Sequence, residues 1–375
     1  MLFQIDDSIR VLAESGSAPD YLVDFTEELF RARRAGRHIV FAKNSTLDAL
    51  AGLPGLSAKT KQTIKSVKDR IRSKKSFFDD VMVFVRVVAE SGVKRRINEN
   101  GKYVIETSAD ILSNDLVFRE TYLLVENHSD GEFYKAIALI YNNFFAPSQS
   151  VRINLSIFPG GGSQTPRHYN ILKSESRLTF CIIDGDYEFM GAAPGSNTAG
   201  PILNSDLSTP SAFADALIID CYSIENLIPP SLLRMVLSLG DSDASWLSNL
   251  ENLSTKDFWL YLPLKRGKNC SAFKGVGPKE VYWRSNKDSF MPKHPVCEGW
   301  ENQVECAKTC VVLDCISGKT LEKVVNYLKE MESKAAFSEL DTIVEELPPP
   351  VFKMWEQVAR GVTSWCCSGQ RMAVA

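Results

Sequence analysis

The sequence predicts an α/β protein: a parallel-sheet core over residues 116–270, a mainly helical, basic region over 1–115 and an α+β extension over 271–375. Three observations predict it. From about Val117, continuous apolar runs of strand length alternate with segments of helical spacing. Glycine and proline fall at the joints between them. A 44% hydrophobic and 24% charged composition over 375 residues provides ordinary globular cores in two or three domains.

The core is read element by element. TYLLV (Thr121–Val125) is a buried strand by its unbroken apolar run. Ser129-x-x-Glu132 has the form of a capping box, opening a helix with Phe133, Ile137, Ile140 and Phe144 on one face. VRINLSIF (151–158) is the next strand, ended by Gly160, Gly161 and Gly162, with Thr165 and Pro166 as N-cap and first turn of a second helix. LTFCII (178–183) and ALIID (216–220) complete a strand–helix–strand pattern that asks for right-handed parallel crossovers. Residues 191–211, rich in Gly, Ser, Pro and Asn, read as a long excursion loop.

In the N-terminal region, residues 21–35 and 59–75 have helical spacing, 103–107 is a short strand, and 79–89 is an apolar run of either type. Beyond 271, a strand near 310–314, a helix over 321–331 and a final amphipathic segment over 351–365 stand out. No apolar run approaches the roughly 20 residues of a bilayer crossing, so no membrane partner is expected. The start, MLFQIDDSIR, is acidic where a secretory signal is basic and then apolar, and nine cysteines are an odd number for a disulfide framework. A cytoplasmic protein with free thiols is the expectation.

The net charge of −3 is unevenly spread. Residues 1–100 hold 18 Lys+Arg against 13 Asp+Glu, +5, which leaves −8 for the rest. The positive charge gathers at Lys59, Lys61, Lys65, Lys68, Arg70, Arg72, Lys74 and Lys75, and again at Lys94, Arg95 and Arg96. Such a face suits a polyanion, because each neutralised phosphate releases counterions. A solvated helix surface is the competing reading, and the same face would also grip an acidic protein.

The acids concentrate where a parallel sheet binds ligands, beyond the carboxyl ends of its strands. Glu126 follows the first core strand in LLVENHSD, and Asp184 and Asp186 follow the third in IIDGDYEF. An i, i+2 pair on extended chain points both carboxylates one way, and Gly185 leaves room for a ligand. Two such anions at ~4 Å repel by roughly 4 kcal/mol at an effective dielectric near 20. A divalent cation removes that penalty, and all-oxygen donors favour Mg²⁺, Mn²⁺ or Ca²⁺ over zinc. Turn capping by the same residues is the structural alternative.

LLVENHSDGEFY resembles the opening motif of the TOPRIM family, a strand ending in Glu with an Asp that starts the helix; IIDGDYEF resembles its Asp-x-Asp motif. The order of strands and helices between them is similar, and IDCYSIENLIPPSLL (219–233) looks like the element that follows in stand-alone TOPRIM nucleases related to overcoming-lysogenization-defect proteins. The resemblance covers about residues 117–270. It implies a TOPRIM-like (Rossmann-like) core, metal ligation by Glu126, Asp184 and Asp186 with Asp130 nearby and Glu225 in support, and Lys265 as a charge stabiliser. It further implies a Mg²⁺-dependent nuclease acting on RNA such as tRNA, or on DNA, as a toxic effector of anti-phage defence held inactive by an ATPase partner. Asn127 departs from the family's glycine, which puts the turn geometry in question.

Two rival functions stay open: a non-catalytic assembly subunit of TOPRIM fold, with a homo-oligomer allowed in either case, and a primase or topoisomerase fragment. The glycine run at 160–162 lacks the Lys-Ser/Thr ending of a P-loop and reads as a turn. His294, Cys297, Cys306, Cys310 and Cys315 have irregular spacing for zinc. No histidine sits in a motif with a Ser or Cys nucleophile.

Overall fold

The computed structural model describes residues 1–16, 18–70, 77–78, 81–113, 115–145, 151–175, 177–237, 241–273, 275–290, 311–334 and 340–373. The protein is α/β, with a mixed sheet and a parallel sheet. It divides into two compact units. The first comprises Met1–Ile182, Asn204–Leu217 and Val358–Ala375, and the second Ile183–Leu203 and Ile218–Gln357.

Strands β1 (Leu2–Ile5), β2 (Ile39–Ala42), β3 (Val83–Val88), β4 (Lys94–Glu99) and β5 (Lys102–Ser108) form a five-stranded sheet in the order β2-β1-β3-β5-β4. All its pairings are parallel except that of β4 with β5. Residues 1–115 are therefore an α/β layer rather than a mainly helical region. The reason is physical: LFQI and IVFA are four-residue strands, nearly all buried, and a strand covered on both faces shows no alternation. The helix Asp20–Arg34 buries Leu22, Phe25, Leu29 and Phe30, each completely, and each such side chain contributes roughly 1.5–3 kcal/mol.

The basic strand β4 lies at the sheet edge, where charge discourages pairing with other chains. Its cations have local partners: Arg95 donates to Glu106 at 2.9 Å, Arg96 pairs with Asp215 at 3.0 Å, and Lys94 lies 4.7 Å over the Phe213 ring. The helix Ala58–Arg70 turns Thr60, Thr63, Ile64 and Val67 inward and leaves Lys59, Lys61 and Lys65 exposed. Arg72, Lys74 and Lys75 lie outside the described residues.

The second sheet contains β6 (Thr121–Val125), β8 (Leu155–Pro159), β9 (Thr179–Asp184) and β10 (Ala214–Ile219), while β7 (Arg152–Ile153) lies outside it. Its order is β10-β9-β6-β8, with β6 parallel to both β8 and β9. The helix His128–Phe145 connects β6 towards β8 and buries Phe133, Ile137 and Ile140. Residues 191–211 are not a loop throughout, because the helix Ala199–Ser208 runs through them. The chain end returns to the first unit, where Cys367–Ser368 pairs with β7 and Trp365 stacks on Phe180 at 5.8 Å.

In the second unit, β11 (Lys268–Asn269) and β12 (Val311–Leu313) form a short antiparallel pair. Trp259 and Trp283 are fully buried there. No helix among the described residues is long and apolar enough to cross a membrane. Cys181, Cys221, Cys270, Cys315, Cys366 and Cys367 are free thiols; His294, Cys297, Cys306 and Cys310 lie outside the described residues.

Candidate functional site

Glu126 and Asp130 belong to the first unit. Glu126 leaves β6 at its carboxyl end, and its backbone carbonyl accepts from Gly161 N at 3.0 Å while Val125 O accepts from Gly160 N at 2.7 Å. These bonds commit two N–H groups of the glycine run to the turn. Gly161 and Gly162 have left-handed φ of 75° and 60°, which explains glycine there without a phosphate. The helix begins at His128, two residues earlier than a Ser129 cap requires. Asn127 N donates to Asp130 Oδ2 at 2.9 Å and Asp130 N to Asn127 O at 3.1 Å, so the turn is held by Asn127 and Asp130, while Glu132 pairs with His128 at 3.3 Å. Asn127 has no positive φ, so this turn does not need the family's glycine.

Asp184, Asp186, Glu225 and Lys265 all belong to the second unit. Asp184 is the last residue of β9, and its Oδ2 accepts from Ile224 N at 2.9 Å. The chain then leaves the extended conformation. Asp186 has a φ of 54°, one of two non-glycine residues in the left-handed region among those described. The extended geometry expected to point both carboxylates one way therefore does not apply. Nor does Gly185 leave an open approach: a Cβ there would meet the Tyr187 ring and stand 2.6 Å from Ile219 O. Glycine is required instead by the chain's own close packing.

Asp186 is held against the backbone of the following loop, since a Cβ on Gly195 would lie 2.5 Å from its Oδ2. Gly195 is fixed in turn, donating to Gly185 O at 2.8 Å. Burial pushes the Asp186 carboxyl up, and the charges of Arg266 and Lys265 pull it back down. A left-handed aspartate is a costly arrangement, of order 1–3 kcal/mol, and such costs cluster at functional sites.

Glu225 is carried by the 3-10 turn Ile224–Leu227, which is built with care. Ser223 N donates to Asn226 Oδ1 at 2.9 Å. Asn226 Nδ2 donates to Trp259 O at 2.8 Å and Leu262 O at 2.9 Å, and Trp259 Nε1 donates back to Asn226 O at 2.8 Å. This network fixes Glu225, whose side chain is 3% exposed, with Lys265 Nζ 2.9 Å from Oε1. Its Oε2 is buried without a hydrogen-bond partner among the described residues. The sequence reading missed Asn226; the only signal for it was its place in the IENL run.

The negative charge of this region registers on Cys221. Its thiol is pushed well up, first by burial and then by Asp184, Asp220, Glu225 and Asp186. The donors are all oxygen, and the unpartnered Glu225 Oε2 has the chemistry to accept a hard cation, so the residues suit Mg²⁺ or Mn²⁺. Among the described residues, however, no group of three or more His, Cys, Asp or Glu side chains stands assembled for a metal ion. The counter-charge in place is Lys265.

No protein-family model, no curated protein and no solved structure matches this chain.

Proposed function

We propose that the chain is a metal-dependent nuclease of TOPRIM type, cleaving phosphodiester bonds in RNA or DNA. The observation that carries the reading is the ion pair of buried Glu225 with Lys265, whose charge also acts, with that of Arg266, on the left-handed Asp186. Asp184, Asp186 and Glu225 would hold Mg²⁺ or Mn²⁺, which supplies polarisation of a phosphoryl oxygen and activation of water. Lys265 is placed on Glu225 and lends positive charge to Asp186, so a phosphate drawn to these residues meets a donor as well as acids. Glu126 and Asp130 enter the proposal on the sequence resemblance, as does a role as a defence effector restrained by an ATPase partner.

Purified protein with Mg²⁺ is expected to cleave single-stranded RNA or DNA. Asp184→Asn, Asp186→Asn and Glu126→Gln are each expected to lower the rate on the order of a hundredfold or more. Wild-type rates in the Asp184→Asn and Asp186→Asn proteins would refute the assignment. One observation favours a second reading, a non-catalytic assembly subunit: Asp184 and Glu225 already have structural partners in Ile224 N and Lys265. Calorimetric titration separates the two, because the subunit reading predicts no Mg²⁺ or Mn²⁺ site that Asp186→Asn removes.

A further inference from the structure

The second unit contains a pocket of about 390 Å³, lined among others by Tyr222, Tyr261, Arg266, Lys268, Lys279 and Glu188. That volume suits a small organic ligand. Lys268 is its unusual member. The residue is only 7% exposed, and its Nζ stands 3.4 Å over the ring of the fully buried Trp283. No hydrogen bond or ion pair links its side chain to any described residue.

The fold alone gives a poor account of that lysine. A cation over an aromatic face gains about 0.5–2 kcal/mol, whereas removing an ammonium from water costs several. A methionine would fill the same space at lower cost. The charged groups around Lys268 do not restore the balance. Lys279 and Glu280 face it from the helix Pro278–Ser285, Glu188 from the loop after β9, and Arg266 from its own segment; Asp314 and Cys315 line the pocket after β12. Glu188, the acid that favours its charge most, is engaged by Lys279 at 2.6 Å. Burial and Lys279 together lower the Lys268 ammonium to about 7. An anion entering the pocket would supply the missing partner.

The remaining lining indicates which anion. Tyr222 and the largely buried Tyr261 line it with aromatic carbon, and Tyr261 is fixed by donating to Asp220 Oδ1 at 3.2 Å. A base has a π-face for such rings, and its phosphate suits Arg and Lys. Arg266 both lines the pocket and acts on Asp186, which ties the pocket to the acidic residues. We propose that this pocket takes one phosphate-bearing nucleotide of a single nucleic-acid strand, with Lys268 and Arg266 on the phosphate and Tyr222 and Tyr261 against the base. The proposal deepens the nuclease reading and rests on it for the source of the strand.

The test is calorimetric binding by the full chain in EDTA, so that no metal contributes. The probes are a five-nucleotide single-stranded oligoadenylate, as DNA and as RNA, adenosine monophosphate and adenosine. Either oligonucleotide is expected to bind more tightly than the monophosphate, and adenosine at least tenfold more weakly than the monophosphate. Lys268→Met is expected to lower oligonucleotide affinity at least tenfold with no fall in melting temperature, and Arg266→Gln to lower it as well. Full affinity in either folded variant would overturn the proposal, as would equal binding of adenosine and its monophosphate, or weaker binding of both oligonucleotides than of the monophosphate. Binding that depends on Lys268 without any cleavage in Mg²⁺ would leave the pocket standing and remove the nuclease. Cleavage and oligonucleotide binding indifferent to Lys268→Met would do the reverse.

Discussion

At the scale of one residue, Lys268 opposes folding whenever it carries its charge. In the unfolded chain it keeps its proton to about pH 10.5, and in the folded chain burial and Lys279 bring that down to about 7. Between those values the unfolded chain holds more protons, so stability rises with pH across the interval. Below pH 7 both states are protonated and the full cost is present. Lys268→Met removes the titrating group, so its stability advantage over wild type is expected to be largest at pH 6. By pH 9 that advantage should shrink by roughly 2–3 kcal/mol. Urea unfolding at the two pH values measures the difference, and any packing effect of the methionine cancels between them. An advantage independent of pH would mean that Lys268 titrates as a solvated lysine.

At the scale of elements, the turn after β6 depends on how closely its helix approaches β8. A Cβ on Gly131 would stand 2.7 Å from Ile157 Cγ2 and 3.0 Å from Cγ1. Alanine gains about 1 kcal/mol of helix propensity, but overpacking costs about 1–3. The clashing atoms lie on the β-carbon of a strand residue, not at the end of a flexible chain, so the clash wins. Gly131→Ala should destabilise by about 1 kcal/mol or more, and Ile157→Ala should tolerate it better; thermal unfolding of the four proteins in the cycle checks this. The same elements show what the sequence could reveal. TYLLV and LTFCII read as strands to within one residue, because both are continuous apolar runs in a covered sheet. β1 and β2 escaped because four residues are too few for a period to register, and β4 because its charges mark a sheet edge as readily as a binding face. The acids Asp184 and Asp186 were visible by their place after a strand. Lys268 was not, since its meaning depends on Trp283, which meets it only through the fold.

At the scale of the whole molecule, the excess positive charge of the first hundred residues has a nucleic-acid partner, an acidic protein partner or only water. The helix Ala58–Arg70 tests the first of these, because Lys59, Lys61 and Lys65 are exposed on it while Lys68 is tied to Asp48 at 2.6 Å. Phosphate contacts release counterions, so each one contributes about 0.9 to the slope of log affinity against log salt on duplex DNA and about 0.7 on single strands. If the three lysines touch phosphate, reversing them to glutamate should weaken binding to all sequences alike and flatten the salt slope by about 2–3. Their exposure means that stability should change by no more than about 0.5 kcal/mol per site, so lost affinity cannot be assigned to unfolding. Fluorescence anisotropy with labelled duplex and single-stranded DNA at several salt concentrations gives the slopes. An unchanged slope with unchanged affinity would exclude the nucleic-acid partner for this helix and leave the second unit's own cations, Arg266 and Lys268, to account for any nucleic-acid binding.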